Sequence, residues 1–202
     1  MQDPRGFKTH SSPGHFLTFR DDVKYLVVAR SPEDSLASFK IFLEMHSDEA
    51  FSLWETSMGI PAGVLKKNMT RPTLDAFVKE VVLSFRPGGP SAPELPGGMI
   101  TAFFASFLNS WWPLRHKPNV HFVHFSELKK DHAGSIRNIA DFLGFQPTNE
   151  QWPRILEYTS FPWMKANESK FEEVMCGKDL DIPVLKSGAM VFNSFIYIHI
   201  YI

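Results

Sequence analysis

Cysteine is almost absent: the 202 residues contain one, Cys176. A single thiol forms no internal disulfide and no thiolate metal cluster, so a reducing compartment is the simplest setting and no metal is expected. No charge sign dominates either. The 21 Lys and Arg stand against 22 Asp and Glu, a formal net charge of −1. That balance argues against a general nucleic-acid binder, although a local basic patch stays open. No run approaches the roughly twenty apolar residues of a membrane span. The opening MQDPRGFKTH lacks the apolar stretch of a secretory signal. There is no internal repeat, no low-complexity tract and no G-x-x-x-x-G-K-[ST] phosphate loop. What is present is apolar mass: 44% hydrophobic residues, 14% aromatic, 19 of them Phe. That is too apolar for a disordered chain and enough for the core of one sizeable domain.

Strand and helix signals alternate. Val23 to Ala29 is a short, nearly continuous apolar run, the pattern of a strand buried on both faces. A helix start follows at once, with Ser31 as cap, Pro32 at the first position and Glu33 and Asp34 at the positive end of the dipole. Arg30 therefore sits at a strand-to-helix turn. Leu74, Phe77, Val78, Val81, Val82 and Phe85 form one helical stripe that begins near Thr73 and stops at Arg86-Pro87-Gly88-Gly89-Pro90. Met99 to Trp112 reads as an apolar helix and Val120 to Phe125 as a second strand. Asp131 is placed to cap a helix ended by Gly144, and two further helices are expected over Asn149 to Tyr158 and Phe161 to Ala166. This alternation implies an α/β architecture with a parallel sheet. The tail FIYIHIYI, Phe195 to Ile202, is apolar, β-branched and uncharged. It reads either as a buried edge strand or as an aggregation-prone segment with no native slot.

Two small constellations carry chemistry. In Phe7-Lys8-Thr9-His10, a strand end would point Lys8 and His10 to one side. An imidazole can take a proton from a hydroxyl, and a lysine can stabilise charge on a transferring group. Two polar residues on an exposed N-terminal segment would look the same. Arg30 with Ser38, about two turns into the following helix, makes a plausible phosphate site. An arginine paired with Glu33 or Asp34 beside a solvent-facing serine is the alternative. His121 and His124 are three apart and fall on opposite faces of a strand, so a shared metal is not expected. Lys129 and Lys130 read as a solvated face. Trp111 and Trp112 read as core or as a pocket wall.

Taken together, the segments resemble the cytosolic sulfotransferases, which use 3′-phosphoadenosine 5′-phosphosulfate. PRGFKTH is similar to the family's strand ending in Lys-Thr-His. DVKYLVVARSPEDSLASF is similar to its strand-Arg-x-Pro-x-Asp-helix segment, with Ser eight residues after Arg. NVHFVHFSELKKDHAGSIRNIADFLG and ILEYTSFPWMKAN continue the match in family order, from about Pro4 to Asn167. The resemblance implies a three-layer α/β sandwich with a parallel sheet, related to the P-loop nucleotide kinases. It implies transfer of a sulfuryl group to an alcohol, phenol or amine in the cytoplasm. His10 would be the general base and Lys8 would sit near the sulfuryl group. Arg30 and Ser38 would bind the 3′-phosphate of the nucleotide. Thr159, Ser160 and Phe161 would lie against its adenine end. Phe125 stands where the family usually has the Tyr of Tyr-Glu-Asp, keeping an aromatic surface without the hydroxyl.

The departures set further expectations. Nothing matches the family's Pro-Lys-Ser-Gly-Thr-Thr-Trp loop, and Val191 is followed by Phe192-Asn193-Ser194 where the family has Arg-Lys-Gly. The sequence reads as a partial sulfotransferase domain over 1–191, truncated at the N-terminus, with a divergent apolar tail over 192–202. Loss of that many charge-assisted hydrogen bonds, each worth about 1.5–3 kcal/mol, predicts weak or absent catalysis. A non-catalytic binding or interaction protein is the rival reading, acting as a homo-oligomer or paired with a paralogue. Another P-loop-like kinase is disfavoured by the missing loop. No nucleic acid and no membrane partner is expected.

Overall fold

The apolar run after Asp22 does become a strand, and the strand-to-helix rhythm holds through the computed structural model of the chain. The structure describes residues 6–9, 11–14, 17–84, 98–167, 170, 174–177, 180–183 and 198–201. The strands are β1 (Gly6–Thr9), β2 (Lys24–Ala29), β3 (Val120–His124), β4 (Val174–Gly177), β5 (Leu180–Pro183) and β6 (Ile198–Tyr201). The helices are α1 (Pro32–Met45), α2 (Asp48–Met58), α3 (Val64–Met69), α4 (Leu74–Phe77), α5 (Gly98–Trp111), α6 (Phe125–Lys130), α7 (His132–Leu143), α8 (Trp152–Tyr158) and α9 (Phe161–Ala166). Two units make up the chain. One combines Met1–Pro32, Phe103–Trp163 and Ser194–Ile202; the other combines Glu33–Ala102 and Met164–Asn193.

The first unit is built on a four-stranded sheet of order β1-β6-β2-β3. β2 and β3 run parallel, with Tyr25 opposite Val120 and Ala29 opposite His124. Period-two alternation then sends their side chains to two different layers. Val23, Tyr25, Val27 and Val120 meet Phe107 and Trp111 of α5, forming the main core. Tyr25 and Trp111 are 1% and 0% exposed, so their polar atoms need partners. The Arg20 backbone N–H donates to Tyr25 Oη at 2.9 Å, and Trp111 Nε1 donates to the Ser11 carbonyl at 3.3 Å. On the opposite face His121 stacks on Phe142 of α7, centroids 5.0 Å apart. Helices thus cover both faces of the sheet, which is the expected three-layer α/β arrangement.

Among the described residues of the sheet, the parallel register is confined to β2 and β3. β6 runs antiparallel to both β1 and β2. Ile198–Tyr201 of the apolar tail therefore supply an interior strand, neither an edge nor a segment without a slot. With a partner on each side, β6 has both rows of its backbone donors and acceptors available for pairing inside the sheet.

The second unit is mainly helical. Ser47 caps α2 by accepting from the Ala50 N–H, and Thr73 caps α4 by accepting from Ala76. Buried Glu55 accepts from the backbone N–H groups of Gly63 and Leu65, both at 2.8 Å, and so satisfies the start of α3. Buried His46 donates through Nδ1 to the Phe42 carbonyl at 2.7 Å, its ring set edge-on to Phe42 and close to Trp54. The helix expected from Thr73 differs in kind. After four α-helical residues, Val78–Val82 widens into a π-helical turn, with the Leu83 N–H reaching back to Val78. Val78, Val81 and Val82 are β-branched and crowd a regular helix, and the wider turn still buries Val81 and Val82. Phe85, the end of that stripe, lies outside the described residues.

Candidate functional site

The parallel pair positions the site. In open α/β sheets ligands bind outside the carboxyl ends of the strands. Arg30 directly follows β2 and Phe125 directly follows β3, so register alone brings them to the same end. The Arg30 guanidinium carbon lies 4.8 Å from the centre of the Phe125 ring. Lys129, one helical turn further along α6, places Nζ 5.9 Å from the same centre. Among the described residues Lys129 makes no ion pair. Two cations thus share one aromatic ring. His124 caps α6: its Nδ1 accepts from the Ser126 N–H at 3.3 Å and lies 2.6 Å from the Ser126 hydroxyl.

A second cluster lies on the helices that follow. Asp131 caps α7 by accepting from the Gly134 N–H at 2.9 Å. A Cβ at Gly134 would sit 2.1 Å from the Asp131 carboxylate, so a larger residue there would displace the capping side chain. At the other end Gly144, in the left-handed region at φ 84°, closes α7 with the Phe145 N–H reaching back to Ala140. His132, the first residue of α7, has Nε2 3.0 Å from the Thr159 carbonyl and 3.1 Å from its hydroxyl. The Thr159 hydroxyl itself donates to Ile155 at 2.8 Å. Ser160 accepts from the Trp163 N–H at 3.3 Å and so caps α9, whose first residue, Phe161, is 53% exposed. The Thr159-Ser160-Phe161 turn is therefore held open to solvent by His132 and by its own capping bonds.

The remaining predicted residues are placed as follows. Lys8 lies in β1, opposite His199 of β6. His10 lies outside the described residues. Ser38 is half-buried on α1, in the second unit. The structure brings Arg30 and Phe125 into contact and holds Thr159, Ser160 and Phe161 as one turn. His121 and His124 do part company, His121 to Phe142 and His124 to the α6 cap. Burial holds the His121 imidazole below its ordinary pKa. Trp111 is core, whereas Trp112 is 56% exposed and carries Arg115 over its ring at 4.5 Å. A shallow groove of about 420 Å³, bordered by Phe145, Pro147, Arg154, Ile155 and Tyr158, includes none of the predicted site residues.

Two residues of these clusters escaped the sequence reading. Lys129 is exposed, as the solvated-face reading expects, and what that reading missed is its approach to Phe125, for which the i, i+4 spacing was a usable signal. His132 gave none, since its partner is distant in sequence and only folding brings them together. Among the described residues no helix is long and apolar enough to cross a membrane, and no three His, Cys, Asp or Glu side chains gather as a metal-binding group.

An α/β unit with a cationic, aromatic corner at the carboxyl ends of two parallel strands has the layout in which open α/β sheets place their ligand sites. The particular family follows from comparison. A family model for the sulfotransferase domain matches residues 1–182, and the chain belongs to that family. It is 25% identical over 173 residues to 3-alpha-hydroxysteroid sulfotransferase of Cavia porcellus, covering 83% of this chain and 48% of that protein. It is 28% identical over 171 residues to Sulfotransferase 1E1 of Homo sapiens, covering 84% and 47%. The chain spans about half the length of these relatives. A solved structure, mouse sulfotransferase SULT7A1 complexed with PAP, aligns at a TM-score of 0.46 and 18% identity over 83% of this chain and 46% of that one.

Proposed function

We propose that this chain binds 3′-phosphoadenosine 5′-phosphosulfate and directs its sulfuryl group to a small alcohol, phenol or amine. The observation that carries the reading is the Arg30–Phe125 contact at the carboxyl ends of β2 and β3. A guanidinium beside an aromatic face matches the needs of a phosphorylated nucleoside: charge for the phosphate, a flat apolar surface for the rest.

In this reading Arg30 and Ser38 hold the 3′-phosphate, Arg30 through paired N–H donors and Ser38 through its hydroxyl. Phe125 belongs to the same corner, and Thr159, Ser160 and Phe161 border the adenine end. The co-substrate supplies an activated sulfuryl group. Lys8 offsets charge near that group, and His10 takes the proton of the attacking hydroxyl or amine through a ring nitrogen. The family membership and the resemblance of PRGFKTH support these two roles. The chemistry needs no metal, and the setting is proposed to be the cytoplasm.

A second reading is a binding protein without transfer activity. Val191 is followed by Phe192-Asn193-Ser194 where the family has Arg-Lys-Gly, and fewer basic donors there favour this reading. Both readings share the 3′-phosphate corner, so binding comes first as a test. Calorimetric titration of the full chain with 3′-phosphoadenosine 5′-phosphate should show saturable binding that weakens at least tenfold (about 1.4 kcal/mol) in Arg30→Ala. A folded wild-type chain that does not bind sinks both readings. Binding with no sulfate transfer to a phenol panel selects the second.

A further inference from the structure

We infer that His132 is a positioning residue for the nucleobase: through its bond to Thr159 it fixes the turn that receives the adenine end of the nucleotide. The inference rests on the nucleotide-binding reading above and adds a residue from outside the Thr159-Ser160-Phe161 segment. His132 Nε2 stands 3.0 Å from the Thr159 carbonyl and 3.1 Å from the Thr159 hydroxyl. A carbonyl only accepts, so Nε2 carries the hydrogen. The Thr159 hydroxyl gives its own hydrogen to the Ile155 carbonyl at 2.8 Å, so it too meets His132 as an acceptor. One N–H therefore fixes both the main chain and the side chain of Thr159. Thr159 directly follows α8, where carbonyls have no helical partner. The donor comes from another segment, 27 residues earlier. That segment is itself held, because Asp131 caps α7 at the preceding position and His132 is half-buried. Other contacts shape the turn from within: the Ser160 N–H donates to Glu157 at 3.0 Å, and the Tyr158 and Trp163 rings lie 4.7 Å apart. His132 instead ties the turn to α7. Thr159 and Phe161 are exposed, so burial does little to hold them. A turn ordered in advance by a polar tether binds its ligand at a lower entropic cost.

The test compares two ligands on the full chain. One is 3′-phosphoadenosine 5′-phosphate; the other is the same sugar bisphosphate without a base, measured by displacement at millimolar concentration. His132→Met keeps the length of the side chain and removes the donor, whereas His132→Gln keeps a donor at similar reach. His132→Met should weaken the adenine nucleotide about fivefold, the scale of one lost hydrogen bond, and leave the abasic ligand within about twofold. His132→Gln should stay within about twofold of wild type for both. Unchanged adenine-nucleotide affinity in His132→Met overturns the proposal. So does an equal loss for both ligands, which marks a merely structural brace, or failure of His132→Gln to retain affinity. Where the abasic ligand is too weak to titrate, the contrast between the Gln and Met variants on the adenine nucleotide decides. A loss in Arg30→Ala with none in His132→Met defeats this inference and leaves the nucleotide-binding reading standing. No binding by the wild-type chain defeats both.

Discussion

The two faces of the β2–β3 pair come from the same few residues and do different jobs. Toward α5 they are dry: Val23, Tyr25, Val27 and Val120 close on Phe107 and Trp111, and every one is at most 6% exposed. Toward α7 they are mixed. Lys24 reaches over Phe142 at 5.8 Å, His121 stacks on that ring, and Val28 is half-buried. Burial of aromatic and branched side chains supplies stability, so the α5 face anchors the sheet. The α7 face tolerates charge because its polar heads stay near water while their stems cover apolar surface. The lesson is that a parallel strand pair need not be equally apolar on both sides. Leu26 and Val123, 5% and 6% exposed, are also buried on the α7 face, so apolar contact holds the strands from both sides while polar heads rim only one, and their carboxyl ends carry Arg30 and Phe125.

That contrast can be broken most directly at Trp111. Trp111→Ala empties the centre of the dry face and should cost about 3–5 kcal/mol in urea unfolding. Neighbouring valines sharpen the comparison. Val27→Ala, on the fully buried side, should cost about 2 kcal/mol, and Val28→Ala, on the mixed side, less than half of that. Equal losses would mean that the two faces contribute alike. The smallest effect tests the polarity of the α7 face. Burial lowers the His121 pKa in the folded chain, so the unfolded chain takes up the proton first as pH falls. Stability contributed by the neutral ring is therefore full above about pH 6.5 and declines below it. His121→Leu should flatten the acid limb of the stability curve between about pH 6.5 and 5, read as unfolding midpoint against pH. An unchanged acid limb would assign the loss to other groups.

Much of this fold is legible in the sequence because its signals are local. Val23 to Ala29 has the run of a buried strand, Asp131 and Gly144 bracket α7 as cap and stop, and Trp111 falls on the apolar stripe of α5. The turn after β2 placed Arg30 at a strand end by the same local logic. The π-helical widening at Val78–Val82 was not legible, since it arises from how three valines pack once folded. Neither was the interior slot of β6, which depends on which strands lack a neighbour. The groups that hold the candidate site were half legible. Phe125 and Lys129 have helical spacing, but His132 and Thr159 meet only through tertiary structure.

The sequence by itself determined the family, the α/β alternation and the residue types at the strand ends, because motif order and side-chain periodicity are properties of the chain. Only the tertiary structure decided that Arg30 lies over Phe125, that His132 holds the Thr159 turn, and that the apolar tail runs antiparallel between β1 and β2. Those are contacts between segments far apart in sequence. They are set by strand register and by the need to pair backbone groups, which no local pattern encodes.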